Sequence, residues 1–340
     1  MCNTCAMLPD LDDLLATVRV VTLDLRRRFR GITEREIAVF EGPHGWSEFS
    51  PFLEYGDHEA SQWLRAGIAF AWTAVPALHR SSITVNATIP AIHPDDVPAV
   101  LAEYPETLTA KVKVAEPGQS LDDDVARVCA VRECLGPQGR IRIDANGLWT
   151  VAEAARAFAT LAPFTIEYVE QPCATVGELE ALRHLTNHPI IPIAADESIR
   201  KATDPLLVAR SGAADLLVVK AQPLGGLHAA LEIVKAAGLP VVVSSALDSS
   251  IGISMGAHLA AALPRLEHAC GLGTASMFVH DIVDSPLTPH SGAIPVERLV
   301  PNPRLLDALE APPERTLWWH ERIRRCYALL CATDTTVPER

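Results

Sequence analysis

Several absences bound what this chain can be. No apolar stretch approaches the ~20 residues that a bilayer-spanning helix requires, and no basic segment followed by an apolar run opens the sequence. Basic residues are outnumbered, with 29 Lys and Arg against 42 Asp and Glu and a formal net charge of −13. That balance argues against nucleic acid or an anionic membrane surface as a partner. It leaves room for a small anionic substrate, because a local cluster of cations can reverse the field inside a site. The eight cysteines form no disulfide framework. Cys129, Cys134 and Cys173 fall in or beside predicted helices and strands, where cysteine serves as a small apolar residue. Cys2 and Cys5 make a lone CxxC with no second pair, and residues 1–12 read as a disordered terminus rather than a zinc or redox site. The expectation is a cytoplasmic protein of about two domains in 340 residues.

What is present is a repeat. A short apolar run ending in a charged residue recurs five times: TAKVK ends in Lys113, IRIDAN presents Asp144, IEYVE ends in Glu170, IPIAAD ends in Asp196 and LLVVK ends in Lys220. A sixth run, LPVVVSS, ends in Ser244 and Ser245. One strand, one helix and two loops account for a period of this length. The intervening segments carry helix signals. Ser120 with Asp123, Thr150 with Glu153 and Thr175 with Glu178 have capping-box spacing, and Gly136 follows the first helix as a C-cap. Strands alternating with helices imply a parallel sheet, and charge at one end of every strand implies a barrel whose C-terminal rim carries the chemistry.

Strand periodicity assigns faces. Lys111 and Lys113 point one way, as do Arg142 and Asp144, so Lys111 and Arg142 sit one layer below the rim. Three carboxylates from successive strands, flanked by ammonium groups, suit a hard divalent cation. With no His or Cys among them, Mg²⁺ is favoured over Zn²⁺, and Mn²⁺ is an acceptable substitute. HACGLGT, around 268–274, reads as the last strand, where Gly271 and Gly273 would let backbone N–H groups approach a carboxylate. His258 and the Trp318–Trp319 pair read as packing residues.

The barrel begins at about residue 82 and its rhythm ends after Asp284. Before it, residues 1–81 read as an α+β cap: a strand at 17–26, a hairpin around Gly42–Gly45, and a helix in which Leu64, Ile68 and Trp72 share a side. Residues 285–340 end in a helix expected to pack on the cap. Two cap segments, Arg27–Thr33 and Ser50–Gly56, are candidates to close over the barrel mouth. The basic run Arg26–Arg30 reads as a solvated face, with attraction of an anion to the mouth as the alternative.

KVK, DAN, EQP, ADES, VVKAQPLGG and SSALDSSIG, in this order, resemble the enolase superfamily, and within it the o-succinylbenzoate synthase family of menaquinone biosynthesis. The likeness covers nearly the whole chain, since GPHGWSEFSPFLEYG and VNATIPA resemble that family's cap and first barrel strand. It implies a (β/α)7β TIM-like barrel with an α+β N-terminal cap domain completed by the C-terminal segment. It also implies a lyase acting on 2-succinyl-6-hydroxy-2,4-cyclohexadiene-1-carboxylate. By this resemblance Asp144, Glu170 and Asp196 match the metal ligands, Lys113 the acid/base, and Lys220 the opposing lysine that supports an enolate. Asn146, Arg142, Ser244 and Ser245 match pocket positions, and Glu197 is a supporting partner of Asp196. Lys111 and Arg142 would lower the pKa of Lys113 as like-sign neighbours. An N-acylamino-acid racemase or related epimerase would use the same two lysines, one per face, and a barrel reduced to a binding module is the alternative of a different class. Oligomeric state is not written in these residues.

Overall fold

The computed structural model describes residues 8–185, 191–200 and 204–334. Strands β1 (Arg19–Phe29), β2 (Ile32–Gly42) and β3 (Gly45–Phe49) form an antiparallel sheet in that order. In β1, Leu23 and Leu25 are buried while Asp24 and Arg26 are exposed, the alternation of a sheet with one covered face. Helix α2 (Asp57–Trp72) covers that face with Leu64 and Ile68, and Trp72 packs at the margin. A Cβ at Gly67 would stand 2.8 Å from the Glu48 carbonyl oxygen, so glycine is what lets the helix lie so close to β3.

Helix α1 (Leu11–Ala16) begins inside the segment expected to be unstructured. The Asp10 carboxylate caps it by accepting from the Asp12 N–H at 2.8 Å, and Leu14 is fully buried, which is enough to order one short helix. Residues 1–7, with Cys2 and Cys5, lie outside the described residues. Helix α12 (Pro313–Asp334) completes the cap. Trp319, Ile323 and Leu330 are fully buried in the same cluster as Leu23 and Phe49, and the Trp319 indole donates to Glu36 at 2.7 Å.

The second layer system is a barrel. Strands β5 (Ala87–Ile89), β6 (Thr109–Lys113), β7 (Arg140–Asp144), β8 (Ile166–Glu170), β9 (Ile193–Ala195), β10 (Leu216–Val219) and β11 (Val241–Val243) pair in parallel in sequence order. Cys270–Gly271 supplies the eighth position. The Asn86 N–H donates to Cys270 O at 2.9 Å and the Gly271 N–H to Val243 O at 2.8 Å, joining β11 back to β5. A short antiparallel pair, β4 (Ser82–Thr84) with β12 (Ala293–Pro295), precedes the first barrel strand.

The crossover segments carry α3 (Val97–Leu101), α4 (Leu121–Leu135), α5 (Val151–Leu161), α6 (Val176–Leu185), α7 (Glu197–Arg200), α8 (Leu207–Arg210), α9 (Leu227–Ala237) and α10 (Ser250–Ala262). Reciprocal side-chain caps form at Ser120, Thr150 and Thr175, and Gly136 ends α4 with φ 69°. α11 (Pro303–Ala308) follows the barrel. Strand residues such as Ile141, Ile143 and Val169 face the helices, whereas Tyr168, Ala194, Leu216, Val218 and Val242 form a small plug within the barrel. Side chains two residues beyond that plug therefore emerge at the C-terminal rim. Among the described residues, no helix is long and apolar enough to cross a membrane.

Candidate active site

Register places the charged groups side by side. Lys113, Asp144 and Glu170 are Cα partners across β6, β7 and β8, and Asp196 directly follows β9. Lys220 follows β10, on the opposite side of an eight-position barrel from β6. All five reach one region that is almost dry, with Asp144, Glu170 and Asp196 each 1 % exposed. Lys113 donates to Asp144 at 2.6 Å and to the Asn146 amide oxygen at 2.7 Å. Lys111 bridges Asp144 and Glu170, at 3.1 Å to each. Lys220 and Arg200 hold Asp196 from two sides, at 2.5 and 3.1 Å.

The electrostatics follow from this packing. Burial and the Asp144 carboxylate push Glu170 up to about 7. Against burial, which would raise them, Asp144 is held well below the usual carboxylate range by Lys113 and Lys111, and Asp196 by Lys220 and Arg200. Burial lowers the Lys113 ammonium, with Lys111 adding to the shift and Asp144 opposing it. Lys111 shifts upward, since Glu170 and Asp144 outweigh its burial.

Three buried carboxylates on successive strands are an all-oxygen donor set that fits a divalent cation such as Mg²⁺ or Mn²⁺. In their present rotamers they do not converge: among the described residues, no three His, Cys, Asp or Glu side chains stand close enough to share one ion. Ammonium groups lie between them instead, so a bound ion would compete with Lys111, Lys113 and Lys220 for the same oxygens.

Above these groups lies a cavity of about 460 Å³, counting its open mouth. Lys111, Lys113, Asp144, Asn146, Asp196, Lys220, Ser244, Ser245 and Gly271 line it, as do Phe29, Arg30 and Phe52 from the cap. The Phe29 ring centroid is 5.5 Å from Lys113 Nζ. Asn146 sits at φ 47° and its amide donates to Glu197 at 3.3 Å. Glu197 also accepts from Arg200 at 2.6 Å, which places it behind Asp196 rather than in the cavity.

Two expectations are corrected. Arg142 does not reach the cavity. It is fully buried one layer down, where its guanidinium donates to Glu167 at 2.5 Å, to the Ala269 carbonyl at 2.6 Å and to Asn86 at 3.2 Å, and lies over the Tyr168 ring. With those partners it neither contacts a ligand in the cavity nor lowers Lys113. Gly271 does line the cavity, but its N–H closes the barrel on Val243 and is not free for a carboxylate. A Cβ there would stand 2.4 Å from Ser244 Oγ, so any larger residue would displace that hydroxyl.

The sequence reading missed Thr88, Leu247, Thr274 and Arg200. Thr88 pairs in register with Lys111, and the alternation in VNATIPA, with Asn86 and Thr88 on one face, was its available signal. Thr274 shares a 2.7 Å hydrogen bond with Ser245. Leu247, held at φ 62°, carried no sequence signal. Arg200 lies one helical turn beyond Asp196 and pairs with it, a spacing visible in DESIR.

The fold and this rim define a class. Residues 101–301 match the family model for the enolase C-terminal domain-like fold, and residues 20–71 match that for the enolase N-terminal domain-like fold. Muconate lactonizing enzyme from Pseudomonas fluorescens shares the architecture, with a TM-score of 0.74 at 21 % identity over 87 % of this chain and 98 % of that one. The L-Ala-D/L-Glu epimerase from Bacillus subtilis does so with a TM-score of 0.70 at 22 % identity, over 84 % and 96 %. Enzymes of this superfamily are generally divalent-metal dependent. A curated relative from Mycobacterium marinum, named o-succinylbenzoate synthase, is 54 % identical over 321 residues, 94 % of this chain and 96 % of the relative. One from Mycobacterium leprae, with the same name, is 54 % identical over 331 residues, 96 % and 97 %. The chain belongs to the enolase superfamily, and within it to the o-succinylbenzoate synthase family.

Proposed function

We propose that this chain catalyses the dehydration of 2-succinyl-6-hydroxy-2,4-cyclohexadiene-1-carboxylate to 2-succinylbenzoate, in the cytoplasm. The observation that carries this reading is the pair of lysines, Lys113 and Lys220, facing one cavity from opposite barrel strands with three buried carboxylates between them. A Mg²⁺ ion held by Asp144, Glu170 and Asp196, or Mn²⁺ in its place, would supply the positive charge that stabilises an enediolate at the ring carboxylate. Lys113, as the neutral amine, removes the proton from the adjacent ring carbon. As the ammonium, it returns that proton to the departing 6-hydroxyl on the same ring face, so the products are the aromatic ring and water. Lys220 remains cationic against the other face of the flat anion. Asn146 orients Lys113 through the 2.7 Å hydrogen bond. Phe29 and Phe52 exclude water from above, which strengthens each charge interaction beneath them.

The test is a paired assay with the cyclohexadiene substrate and an N-succinyl amino acid, each with Mg²⁺. Turnover of the first well above the second is the expected result. Racemisation of the N-succinyl amino acid without dehydration would assign the lysines to a racemase instead.

A further inference from the structure

We infer that Arg30 binds the distal carboxylate of the substrate's succinyl chain; the inference rests on the dehydratase reading above. Arg30 and Gly31 are the two turn residues of the β1–β2 hairpin, flanked by the paired Phe29 and Ile32. Both have positive φ, 49° and 82°, the two-residue turn whose twist matches its strands. The turn fixes the tip of the hairpin, and the preceding residue, Phe29, lies against Lys113. Arg30 therefore stands at the outer wall of the cavity that Lys113 closes from below.

Charge pairing singles Arg30 out. Four cations line the cavity: Arg30, Lys111, Lys113 and Lys220. The three lysines are each paired with Asp144, Glu170 or Asp196. Within the basic run, Arg27 is paired with Glu103 at 2.5 Å. Arg30 makes no ion pair with any of the described residues and remains exposed. Its guanidinium rests over the Phe52 ring at 4.5 Å, and the same ring carries Arg35 at 4.1 Å. Arg35 is fixed by donating to the carbonyls of Leu247 and Ser50, so Phe52 is a braced platform. Stacking orients the plane of Arg30 while leaving its N–H fork free, the state in which arginine takes a carboxylate through two hydrogen bonds.

The substrate supplies the complement. Its ring carboxylate belongs at the inner end of the cavity, with the three acidic residues and their cation. Its second carboxylate ends a flexible chain that must point away from the reacting carbons, toward the mouth. Among the described residues of the lining, the one cation without an ion pair, Arg30, is there.

The experiment measures calorimetric affinity, in Mg²⁺, for two ligands: 2-succinylbenzoate and its analogue with the distal carboxylate replaced by a primary amide. Arg30→Gln should weaken the dicarboxylate about 10–100-fold, the range of a lost charged hydrogen bond, and the amide by no more than about twofold; kcat/KM should fall with the dicarboxylate affinity. Arg30→Lys should recover part of the loss. Equal losses for both ligands would overturn the inference, since that is the signature of a disturbed hairpin. Unchanged affinity for the dicarboxylate would overturn it too. If the unsubstituted protein cannot dehydrate the cyclohexadiene, the dehydratase reading itself fails; if it can and Arg30→Gln changes nothing, only the role of Arg30 falls.

Discussion

Lys113 and Lys220 are chemically identical side chains placed under different demands. Lys113 contacts Asp144 and Asn146, lies beneath Phe29, and is lowered by burial. Lys220 is tied to Asp196, which Arg200 also holds. Syn elimination needs one group to take and return a proton, and a second only to remain positive. Lys113→Ala should therefore cost at least the 10²–10⁴-fold of a general acid–base, read as loss of dehydration in a protein whose Tm is unchanged within a few degrees. Lys220→Arg keeps the cation and cannot act as a base at neutral pH. It should dehydrate measurably better than Lys220→Ala while losing any racemisation of an N-succinyl amino acid. Racemisation retained in Lys220→Arg would mean that Lys220 is not the second proton-transfer group. These two lysines and the three carboxylates were legible in the sequence because each ends a period of the repeat. Arg142 was given a place in the pocket by the family resemblance, not by the repeat. Face alternation put it in the barrel interior one layer below the rim, as it is, and Glu167 on the next strand ties it below the cavity floor.

At the scale of elements, the cap and the barrel are joined by a buried polar cluster. Glu48, at the end of β3, accepts from the Ser249 N–H at 3.2 Å, the Ser249 hydroxyl at 2.5 Å and the Gly252 N–H at 3.0 Å. A carboxylate from the cap sheet thus caps barrel helix α10. Gln222, two residues after Lys220, donates to Asp248 at 3.1 Å and to the Ser50 hydroxyl at 3.3 Å. Burial and the nearby Asp248 carboxylate push Glu48 up to about 8, against the hydrogen bonds from Ser249 and Ser50 and the charge of Arg35. A folded pKa above the unfolded one means that the folded state holds the extra proton. The stabilisation is complete below about 4.5 and is lost as pH rises through about 8. Glu48→Gln mimics the protonated acid and does not titrate. The unsubstituted protein should lose stability relative to Glu48→Gln as pH rises from 4.5 to about 8, a difference read from denaturant midpoints. A flat difference across that range would show that Glu48 stays ionised. Nothing in GWSEFSPF announces this contact. The partners are some two hundred residues apart in sequence, and only the folded chain brings them together. The capping boxes of α4, α5 and α6 were readable because each closes within four residues.

For the molecule as a whole, charge is the dominant theme. The chain carries a net −13, yet among the described residues its cavity lining holds four cations against two carboxylates, so the local field at the mouth runs opposite to the global one and favours an anion. Any salt will stabilise such a protein somewhat by screening its surface, and a metal effect has to be separated from that background. If the three buried carboxylates hold a divalent ion, they do so only in the folded state, and that makes the separation possible. Binding raises stability by mass action, about 2.7 kcal/mol at a hundred times Kd, which for a chain of this length is a shift of a few degrees in Tm. MgCl₂ should produce that saturable rise, and KCl at matched ionic strength only a small, unsaturated one. In Asp196→Asn the Mg²⁺ response should vanish, while the KCl response, which depends on net charge, should persist. The apparent Kd should be weaker than three carboxylates alone would give, because Lys111, Lys113 and Lys220 already sit on the same oxygens and must be displaced. Lys111→Met removes the ammonium that bridges Asp144 and Glu170 and makes no covalent demand on the reaction; it should tighten the apparent Kd for Mg²⁺. If KCl reproduces the MgCl₂ curve in the unsubstituted protein, the three carboxylates are not a metal site, and the charge balance of the rim belongs to its lysines alone.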